Sequence, residues 1–482
     1  MSDSFDLVVI GSGPAGEKGA AQAAYYNKAV AIVEQAPTPG GIAVSSAGIP
    51  TKTLRETVLY VSGFRKREVY GLSLKLDPRI ALERLMTRKS EVVTVMTKAV
   101  ERNLARHGIT MIQGRAKLGP DRTVRVSLID GKERTLDAKV ILLATGSHPF
   151  LPADVPFDDP DVHDPVEILQ LDRIPGSLVV IGAGSVGCEY ASIFTALGVH
   201  VTLVDATTRL LPSLDTEISQ LQAEVFNGMG MRLMLGSPFT SVQRVEGKLE
   251  VRFANGNVLY PETVLVATGR AGNTEGLGLE EAGVAVNDKG DIIVDDRFET
   301  TASGIYAAGD VIGPPRLASV SMEQARVAVC HAFGIQFKDR VDTMAPYCIY
   351  SIPEVATVGM TEEQVNAAGV EYEIGRGLFS ANTQAKISGF QDGMIKLVFR
   401  RADRVLLGVH ILGEMASELI HLGQLALHQG DPIDRFIHTT FAVPTRSEAY
   451  KYAAYDGLMR LDRRAGEAPK GPATAPRVGR SN

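Results

Sequence analysis

The apolar and polar positions of the first 35 residues follow the order strand, turn, helix, strand. The apolar run 7–10 predicts a short buried strand, and the glycine-rich turn 11–16 separates it from an alanine-rich helical segment. A second apolar run, 29–33, predicts a strand that ends at Glu34. This succession is one βαβ unit, in which a helix joins two parallel strands.

The same order occurs a second time in the middle of the chain. Residues 178–181 predict a strand, 182–187 form a second glycine-rich turn, and the strand 199–204 ends at Asp205. Buried strands that end in tight turns follow at 140–146 and 264–270. Two complete units predict two nucleotide-binding domains rather than one.

The remaining pattern divides the chain. The short strand 305–310 is expected to return it to the first domain, and strands at 395–399 and 405–411 precede a helix at 416–428. We therefore expect an α/β fold with two Rossmann-like domains and a C-terminal α+β dimerisation domain. The expected boundaries are 1–150 with 275–344 for the first domain, 151–274 for the second, 345–462 for the third, and 463–482 for a disordered tail rich in Pro, Gly, Ala and Arg.

Composition excludes several classes of protein. The net charge is −6 with no long run of one sign, which argues against a nucleic-acid partner. The three cysteines, Cys188, Cys330 and Cys348, are far apart, so neither a disulfide framework nor a cysteine-rich metal site is expected. No apolar run approaches the ~18 residues of a membrane span, and no signal peptide is evident. We expect a cytoplasmic protein without a metal.

Each glycine-rich turn has the chemistry to hold a pyrophosphate. The first glycine makes the tight turn, the second lets phosphate approach the backbone, the third lets helix and strand pack closely, and an acid about 20 residues on binds the ribose hydroxyls. The first set is Gly11, Gly13, Gly16 and Glu34, and the second is Gly182, Gly184, Gly187 and Asp205.

Together with Ala-Thr-Gly at 144–146 and Ala-Gly-Asp at 308–310, these motifs resemble the two-dinucleotide-fold flavoprotein reductases, the family of lipoamide dehydrogenase and glutathione reductase. The resemblance implies FAD in the first fold, NAD(P) in the inserted fold, and a helix that starts near Leu317 and points at the flavin. It adds Gly41, Thr145, Gly146 and Asp310 to the FAD site, and Arg209, Gly269 and Arg270 to the NAD site.

The chain departs from that family at its redox centre. Within the segment 40–52, Ala43 and Gly48 occupy the positions of the family's cysteine pair. Within 441–448, Val443 replaces the catalytic histidine, although Glu448 is kept. The family's ion pair near the flavin is matched by Lys52 and Glu189, which we take as the catalytic residues. A homodimer is implied, because segment 441–448 caps the partner's flavin in this family.

Within the family, the stretches 48–56, 188–192, 269–274, 309–313, 350–354 and 447–450 resemble the soluble pyridine nucleotide transhydrogenases. Hydride transfer between nicotinamide dinucleotides is therefore the first hypothesis. An NADH-dependent reductase of a quinone or other small electron acceptor is the second, and a non-catalytic flavin-binding sensor or scaffold is the third. Asp205 favours NAD(H), since it repels a 2′-phosphate, while Arg209 would offset part of that repulsion and leaves NADP(H) open.

Overall fold

The computed structural model describes residues 3–63, 71 and 78–465. Most of the predicted disordered tail, 466–482, lies outside these residues, whereas 463–465 belong to the last helix.

Among the described residues the α-helices are α1 (Pro14–Tyr25), α2 (Gly41–Ser45), α3 (Ile49–Ser62), α4 (Pro78–Arg106), α5 (Ser185–Ala196), α6 (Thr216–Gly228), α7 (Ala318–Ala332), α8 (Glu362–Ala367), α9 (Thr383–Ser388), α10 (Ala416–Gln429), α11 (Asp434–His438) and α12 (Ala449–Ala465). Short 3₁₀ turns are Pro120–Arg122, Glu167–Gln170, Asp310–Ile312, Phe379–Ala381 and Arg446–Glu448.

The first sheet has a parallel part ordered β3-β2-β1-β5-β16, and β4 pairs antiparallel with both β3 and β5. Its strands are β1 (Asp3–Ile10), β2 (Val30–Glu34), β3 (Thr110–Leu118), β4 (Thr123–Leu128), β5 (Glu133–Leu143) and β16 (Ile305–Ala307). The pairing of β16 with β5 returns the chain to the first sheet, as the sequence predicts.

The second sheet is parallel, in the order β10-β9-β8-β14-β7. Its strands are β7 (Val162–His163), β8 (Ser177–Ile181), β9 (His200–Val204), β10 (Arg232–Met234) and β14 (Thr263–Val266). Two smaller antiparallel sheets are separate from it. They are the three-stranded sheet β11 (Phe239–Val245), β12 (Lys248–Phe253) and β13 (Val258–Leu259), and the pair β6 (Ser147–Pro149) and β15 (Arg270–Gly272).

The C-terminal part is a five-stranded antiparallel sheet in the order β17-β18-β21-β20-β19. Its strands are β17 (Tyr347–Ile349), β18 (Val355–Gly359), β19 (Tyr372–Leu378), β20 (Met394–Arg400) and β21 (Leu406–Leu412). Helix α12 packs directly on β19, because a Cβ on Gly375 would lie 2.0 Å from the carbonyl oxygen of Ala453. A Cβ on Gly377 would likewise lie 2.2 Å from the carbonyl oxygen of Ala449, so the first residue of α12 is also held against β19.

Burial explains why the two predicted βαβ units form parallel strands. The residues of β1 from Leu7 to Ile10 are at most 4% exposed, and the residues of β8 from Leu178 to Ile181 at most 3%. Strands covered on both faces carry continuous apolar runs and belong to parallel sheets with helices on either side. The predicted α/β fold class is confirmed. Among the described residues, no helix has the length and apolarity needed to cross a bilayer.

Candidate functional site

The first glycine turn links β1 to α1. Gly11 has φ +98°, and a Cβ there would lie 2.4 Å from the carbonyl oxygen of Ala144. A Cβ on Gly16 would lie 1.9 Å from the carbonyl oxygen of Gly11, so the helix could not approach the strand. Gly13 caps α1 and approaches Gly41, which has φ +59°. The backbone therefore forms an open cradle at the N-terminus of α1.

The second turn repeats this geometry between β8 and α5. A Cβ on Gly182 would lie 2.4 Å from the carbonyl oxygen of Ala267, and one on Gly187 would lie 1.8 Å from that of Gly182. Gly184 differs, because a Cβ there would meet no atom within 4 Å. The space in front of Gly184 is thus left open by the protein itself.

Each of the two acids accepts a hydrogen bond from the backbone N–H of the residue that follows the first glycine of its turn. Glu34 accepts from the backbone and side chain of Ser12, at 2.8 and 2.6 Å. Asp205 accepts from the backbone N–H of Ala183 at 2.5 Å and from the N–H and hydroxyl of Thr207, both at 2.7 Å. Each carboxylate is therefore held over its own glycine turn, at the end of the second strand of its unit.

The remaining predicted FAD residues meet near the junction of β6 and β15. Thr145 donates its hydroxyl to the carbonyl oxygen of Asn273 at 2.7 Å, and Asn273 donates its amide to the carbonyl oxygen of Thr145 at 2.7 Å. Asp310 accepts from the hydroxyl of Ser147 at 2.6 Å. Gly146 follows Thr145 with φ +72°.

Two residues predicted for the NAD site, Gly269 and Arg270, lie at this same junction. Gly269 has φ +146° and open space around it. The guanidinium of Arg270 donates to the hydroxyl and carbonyl of Ser147, both at 2.8 Å, and lies 3.8 Å from Asp310. Its contacts thus reach the predicted FAD residue Asp310. The third, Arg209, donates to Thr216 and to the carbonyl oxygen of Pro212.

The segment that carries the family's redox pair has the expected geometry without sulfur. A Cβ built on Gly48 would lie 3.5 Å from the Cα of Ala43 and 3.1 Å from its carbonyl oxygen. The two positions therefore face each other, between α2 and the start of α3. Neither side chain can donate or accept electrons.

Lys52 and Glu189 meet beside this segment although they are 137 residues apart. The Lys52 ammonium lies 2.7 Å from Glu189, whose other oxygen accepts from the backbone N–H of Tyr350 at 2.9 Å. The ring of Tyr350 lies 5.0 Å from the same ammonium, a cation–π distance. Glu189 is 7% exposed, so its charge needs this partner.

A cavity of about 740 Å³ opens over these groups. Lys52 and Tyr350 line it together with Ala43, Gly48 and the first residue of α7, Ala318. Its apolar wall consists of Val44, Ile49, Val92, Met96, Val100 and Met322.

The cysteines do not replace the missing pair. Cys188 is completely buried, its thiol directed at the carbonyl oxygen of Ala183 at 3.4 Å, and Cys330 lies beside Gln22. Burial raises the pKa of the Cys348 thiol to about 12. None of the three lines the cavity. Val443, at the histidine position, is 66% exposed in the single chain.

Sequence reasoning missed the residues that position the predicted ones. Tyr350, Ser147 and Asn273 carry no glycine or acid signature, and their partners are between 123 and 161 residues away in sequence. Tyr350 and Asn273 lie in the stretches 350–354 and 269–274 that resemble the transhydrogenases, but nothing in the pattern distinguishes their side chains from packing residues.

Comparison with known proteins identifies the family. Residues 5–332 match the pyridine nucleotide-disulphide oxidoreductase family, and residues 345–454 match its dimerisation domain. The chain belongs to the pyridine nucleotide-disulphide oxidoreductase family. This result confirms the resemblance and makes the protein a flavin-dependent oxidoreductase.

Similar proteins cover almost the whole chain. A soluble pyridine nucleotide transhydrogenase of Mycobacterium bovis is 39% identical over 458 residues, which are 95% of this chain and 98% of the relative. One from Ectopseudomonas mendocina is 38% identical over 95% of this chain and 99% of the relative. Among solved structures, LpdA from Mycobacterium tuberculosis has a TM-score of 0.86 at 27% identity, and the HOCl-induced flavoprotein disulfide reductase RclA from Escherichia coli 0.84 at 27%. These two matches cover 94% of this chain and 99% of each structure.

The residues present fit the FAD that this family implies. The glycine cradle at the N-terminus of α1 leaves backbone N–H groups free of Cβ atoms, as a pyrophosphate requires. The carboxylate of Glu34 accepts from Ser12 beside this cradle, where the sequence predicts an acid for ribose hydroxyls, and the first residue of α7 lines the cavity beside Lys52. That helix has 15 residues, so its positive end favours negative charge in the cavity.

Proposed function

We propose that this protein binds FAD and transfers hydride between nicotinamide dinucleotides, in the manner of its transhydrogenase relatives. The observation that carries the proposal is the intact pair of Lys52 and Glu189, whose lysine lines a cavity where Ala43 and Gly48 replace both sulfurs. A disulfide reductase needs the sulfurs to pass electrons to its substrate. Hydride exchange between nicotinamide and flavin does not.

The proposed FAD ligands are Gly11, Gly13, Gly16, Glu34, Gly41, Thr145, Gly146 and Asp310. The proposed NAD ligands are Gly182, Gly184, Gly187, Asp205, Arg209, Gly269 and Arg270. Bound FAD would supply a ring that accepts a hydride from one nicotinamide and returns it to another. Arg209 and Arg270 donate their guanidinium groups to other residues of the protein, Thr216 and Ser147. Of the proposed nucleotide ligands, these two therefore have the weakest structural support.

The protein's own contribution is charge and alignment. Lys52 places one positive charge in the cavity, and Glu189 fixes its ammonium at 2.7 Å. Tyr350 restrains the pair from the C-terminal domain, through its backbone N–H and its ring. A fixed positive charge favours the electron-rich state of whatever lies against it, without reorganisation during the reaction. No side chain needs to supply a proton, which agrees with the loss of histidine at position 443.

We infer that NAD(H) is the preferred nucleotide. Asp205 presents a carboxylate where a ribose diol would donate hydrogen bonds, and a 2′-phosphate there would meet like charge. Arg209 is the basic residue that would offset this repulsion, but its guanidinium is turned toward Pro212 and Thr216. Use of NADP(H) is therefore proposed as the slower reaction.

We also propose the domain boundaries and assembly expected from the sequence. FAD would occupy 1–150 with 275–344, NAD would occupy 151–274, and 345–462 would form the interface of a homodimer. The match of residues 345–454 to the family's dimerisation domain supports the dimer, as does the exposure of Val443 in one chain. A cytoplasmic location remains a prediction, supported by three cysteines without disulfide partners.

The test is a two-stage reaction of the FAD-loaded protein without oxygen. NADH should reduce the flavin, and addition of thio-NAD⁺ or NADP⁺ after removal of NAD⁺ should reoxidise it. Steady-state kinetics should be ping-pong, since one nicotinamide fold must serve donor and acceptor in turn. Lys52→Ala should slow both stages together. A reduced protein that neither nucleotide reoxidises would contradict the proposal.

A second candidate, reduction of a planar apolar acceptor such as a quinone, is favoured by the cavity wall. Val44, Val92, Met96 and Val100 form an apolar part of the cavity that Ala43 and Gly48 also border, while charged residues line other parts of it, namely Glu17, Lys18, Lys52, Glu56 and Arg88. Rapid reoxidation by a quinone, with failure of both nucleotides, would select this function. A flavin-binding sensor would be selected if neither class of acceptor gave turnover.

A further inference from the structure

A buried ion cluster joins the C-terminal sheet to the nucleotide-binding domain. The ammonium of Lys396, on β20, lies 2.9 and 3.0 Å from the two oxygens of Asp215 and 2.5 Å from Glu362. The side chains of Lys396 and Asp215 are 1% and 0% exposed. Burial alone would lower the pKa of Lys396, but Asp215 and Glu362 raise it above its usual value, so the ammonium stays charged.

Asp215 is the N-cap of α6. Its carboxylate accepts from the backbone N–H groups of Glu217 and Ile218 at 3.1 and 3.4 Å, and from that of Glu362 at 3.2 Å. The next residue, Thr216, donates its backbone N–H to Glu363 at 3.0 Å. The end of the segment 205–216 is thereby fixed to α8, an element of the C-terminal domain.

The beginning of the same segment carries the nucleotide-recognition residue. The Thr207 hydroxyl lies 2.7 Å from Asp205 and 3.0 Å from the carbonyl oxygen of Arg209, and its one proton is shared between these two acceptors. Arg209 in turn donates to the hydroxyl of Thr216 and to the carbonyl oxygen of Pro212. Lys396 thus holds Asp215, the neighbouring Thr216 accepts from the guanidinium of Arg209, and Thr207 connects the carbonyl oxygen of Arg209 with Asp205.

We propose that Lys396 and Thr216 determine nucleotide specificity from a distance, by fixing the segment 205–216 so that Asp205 meets a ribose diol while Arg209 is withheld from a 2′-phosphate. This inference rests on the proposed function and adds the positioning residues of its nucleotide site. A buried ion cluster is seldom the most stable way to fill a core, since apolar residues of equal volume often do as well. In this protein the cluster instead fixes the position of Asp215 and of the end of the segment 205–216.

Binding of adenosine fragments to the FAD-loaded protein tests this without any turnover. Calorimetry should be carried out with 5′-AMP, whose ribose keeps its 2′,3′-diol, and with 2′,5′-ADP, which differs from it only by the 2′-phosphate. Lys396→Met should weaken 5′-AMP binding by about tenfold, the cost of roughly one misplaced hydrogen bond. Thr216→Val releases Arg209 and should shift the ratio of the two affinities about threefold or more toward 2′,5′-ADP. Lys396→Arg and Thr216→Ser should retain the behaviour of the natural protein.

If Lys396 had a purely structural role, its replacement would lower the melting temperature without changing the affinity for either fragment. Tyr450→Phe removes a buried hydroxyl that bonds Leu419 and Gly423 within the C-terminal domain, at 2.8 and 3.2 Å, and it serves as the destabilising control. It should lower the melting temperature without changing the affinity ratio. In Lys396→Met the KM for NADH should rise while kcat at saturation stays unchanged.

An unchanged affinity ratio in Thr216→Val, or an unchanged affinity of folded Lys396→Met for 5′-AMP, would overturn the inference. Thr216 is partly exposed, so its variant tests the inference even if Lys396→Met does not fold. Failure of the natural protein to bind either fragment would instead contradict the proposed function, so the two failures can be told apart.

Discussion

Gly184 offers the sharpest test of the second nucleotide turn, because the protein itself gives no reason for a glycine there. Its backbone has φ −75° and ψ −173°, an extended conformation that any residue adopts. An added Cβ would meet no atom within 4 Å. By contrast, a Cβ on Gly187 would lie 1.8 Å from the carbonyl oxygen of Gly182. Gly187 is thus required by the fold, whereas Gly184 is required only if something else approaches the backbone.

Gly184→Ala should therefore fold normally and bind NADH poorly. The methyl group would occupy the space in front of the N-terminus of α5, where a phosphate would accept from backbone N–H groups. A hydrogen bond to a charged group is worth about 1.5–3 kcal/mol, so loss of one predicts a KM for NADH raised by roughly 10- to 100-fold. Gly187→Ala should instead prevent the nucleotide-binding domain from folding.

The measurement is the rate of flavin bleaching against NADH concentration, with a melting curve for each variant. Gly228→Ala is the matched control, since Gly228 lies in the same domain and a Cβ there also meets nothing within 4 Å. It should match the natural protein in KM and melt at the same or a slightly higher temperature, because Gly228 is the last residue of α6 and alanine favours a helix. If Gly184→Ala is reduced by NADH with an unchanged KM, no dinucleotide approaches this turn and the assignment is wrong.

Three further predictions concern the redox segment, the nucleotide and the core. NADH should reduce the flavin without a thiolate charge-transfer band, and lipoamide or oxidised glutathione should not turn over, since Ala43 and Gly48 carry no sulfur; turnover of either would refute their alignment. NADH should be used faster than NADPH, and Asp205→Asn with Thr207→Arg should narrow or reverse this preference in steady-state assays. Burial lowers the pKa of His410 below its usual 6.5, so the unfolded chain binds the extra proton first and stability is lost as pH falls below 6.5, by up to about 1.4 kcal/mol per pH unit. Denaturant titrations at several pH values should show this slope reduced in His410→Gln.

The fold could be predicted where local sequence dictates local structure. Gly11 and Gly182 require positive φ, the apolar runs after them require burial, and Glu34 and Asp205 end strands whose neighbours are fixed by the parallel sheet. These constraints act over about 20 residues, so a single sequence reveals them. The pairing of Lys52 with Glu189 was accessible only because each lies inside a recognisable motif.

Contacts between segments that are distant in sequence have no comparable pattern in the sequence itself. Lys396 sits in a strand whose other residues are apolar except for the terminal Arg400, and only the fold brings Asp215 and Glu362 to it. Arg209 was assigned to the nucleotide from its place after Asp205, but its side-chain direction depends on Thr216, seven residues on. Spacing along a chain indicates which residues are near a site, and it does not indicate which way a long side chain turns.

The pattern of losses and retentions distinguishes a changed reaction from a damaged enzyme. Relaxed selection on a disulfide reductase would remove groups irrespective of their role, yet Lys52 and Glu189 still form a 2.7 Å pair, held by Tyr350. The groups that are absent, two sulfurs and an imidazole, all serve the substrate on the disulfide side. The proposed role of the groups that remain is in the exchange between nicotinamide and flavin. Since thiol and base are of no use without each other, their joint loss with an intact ion pair argues that the chemistry now begins and ends with hydride.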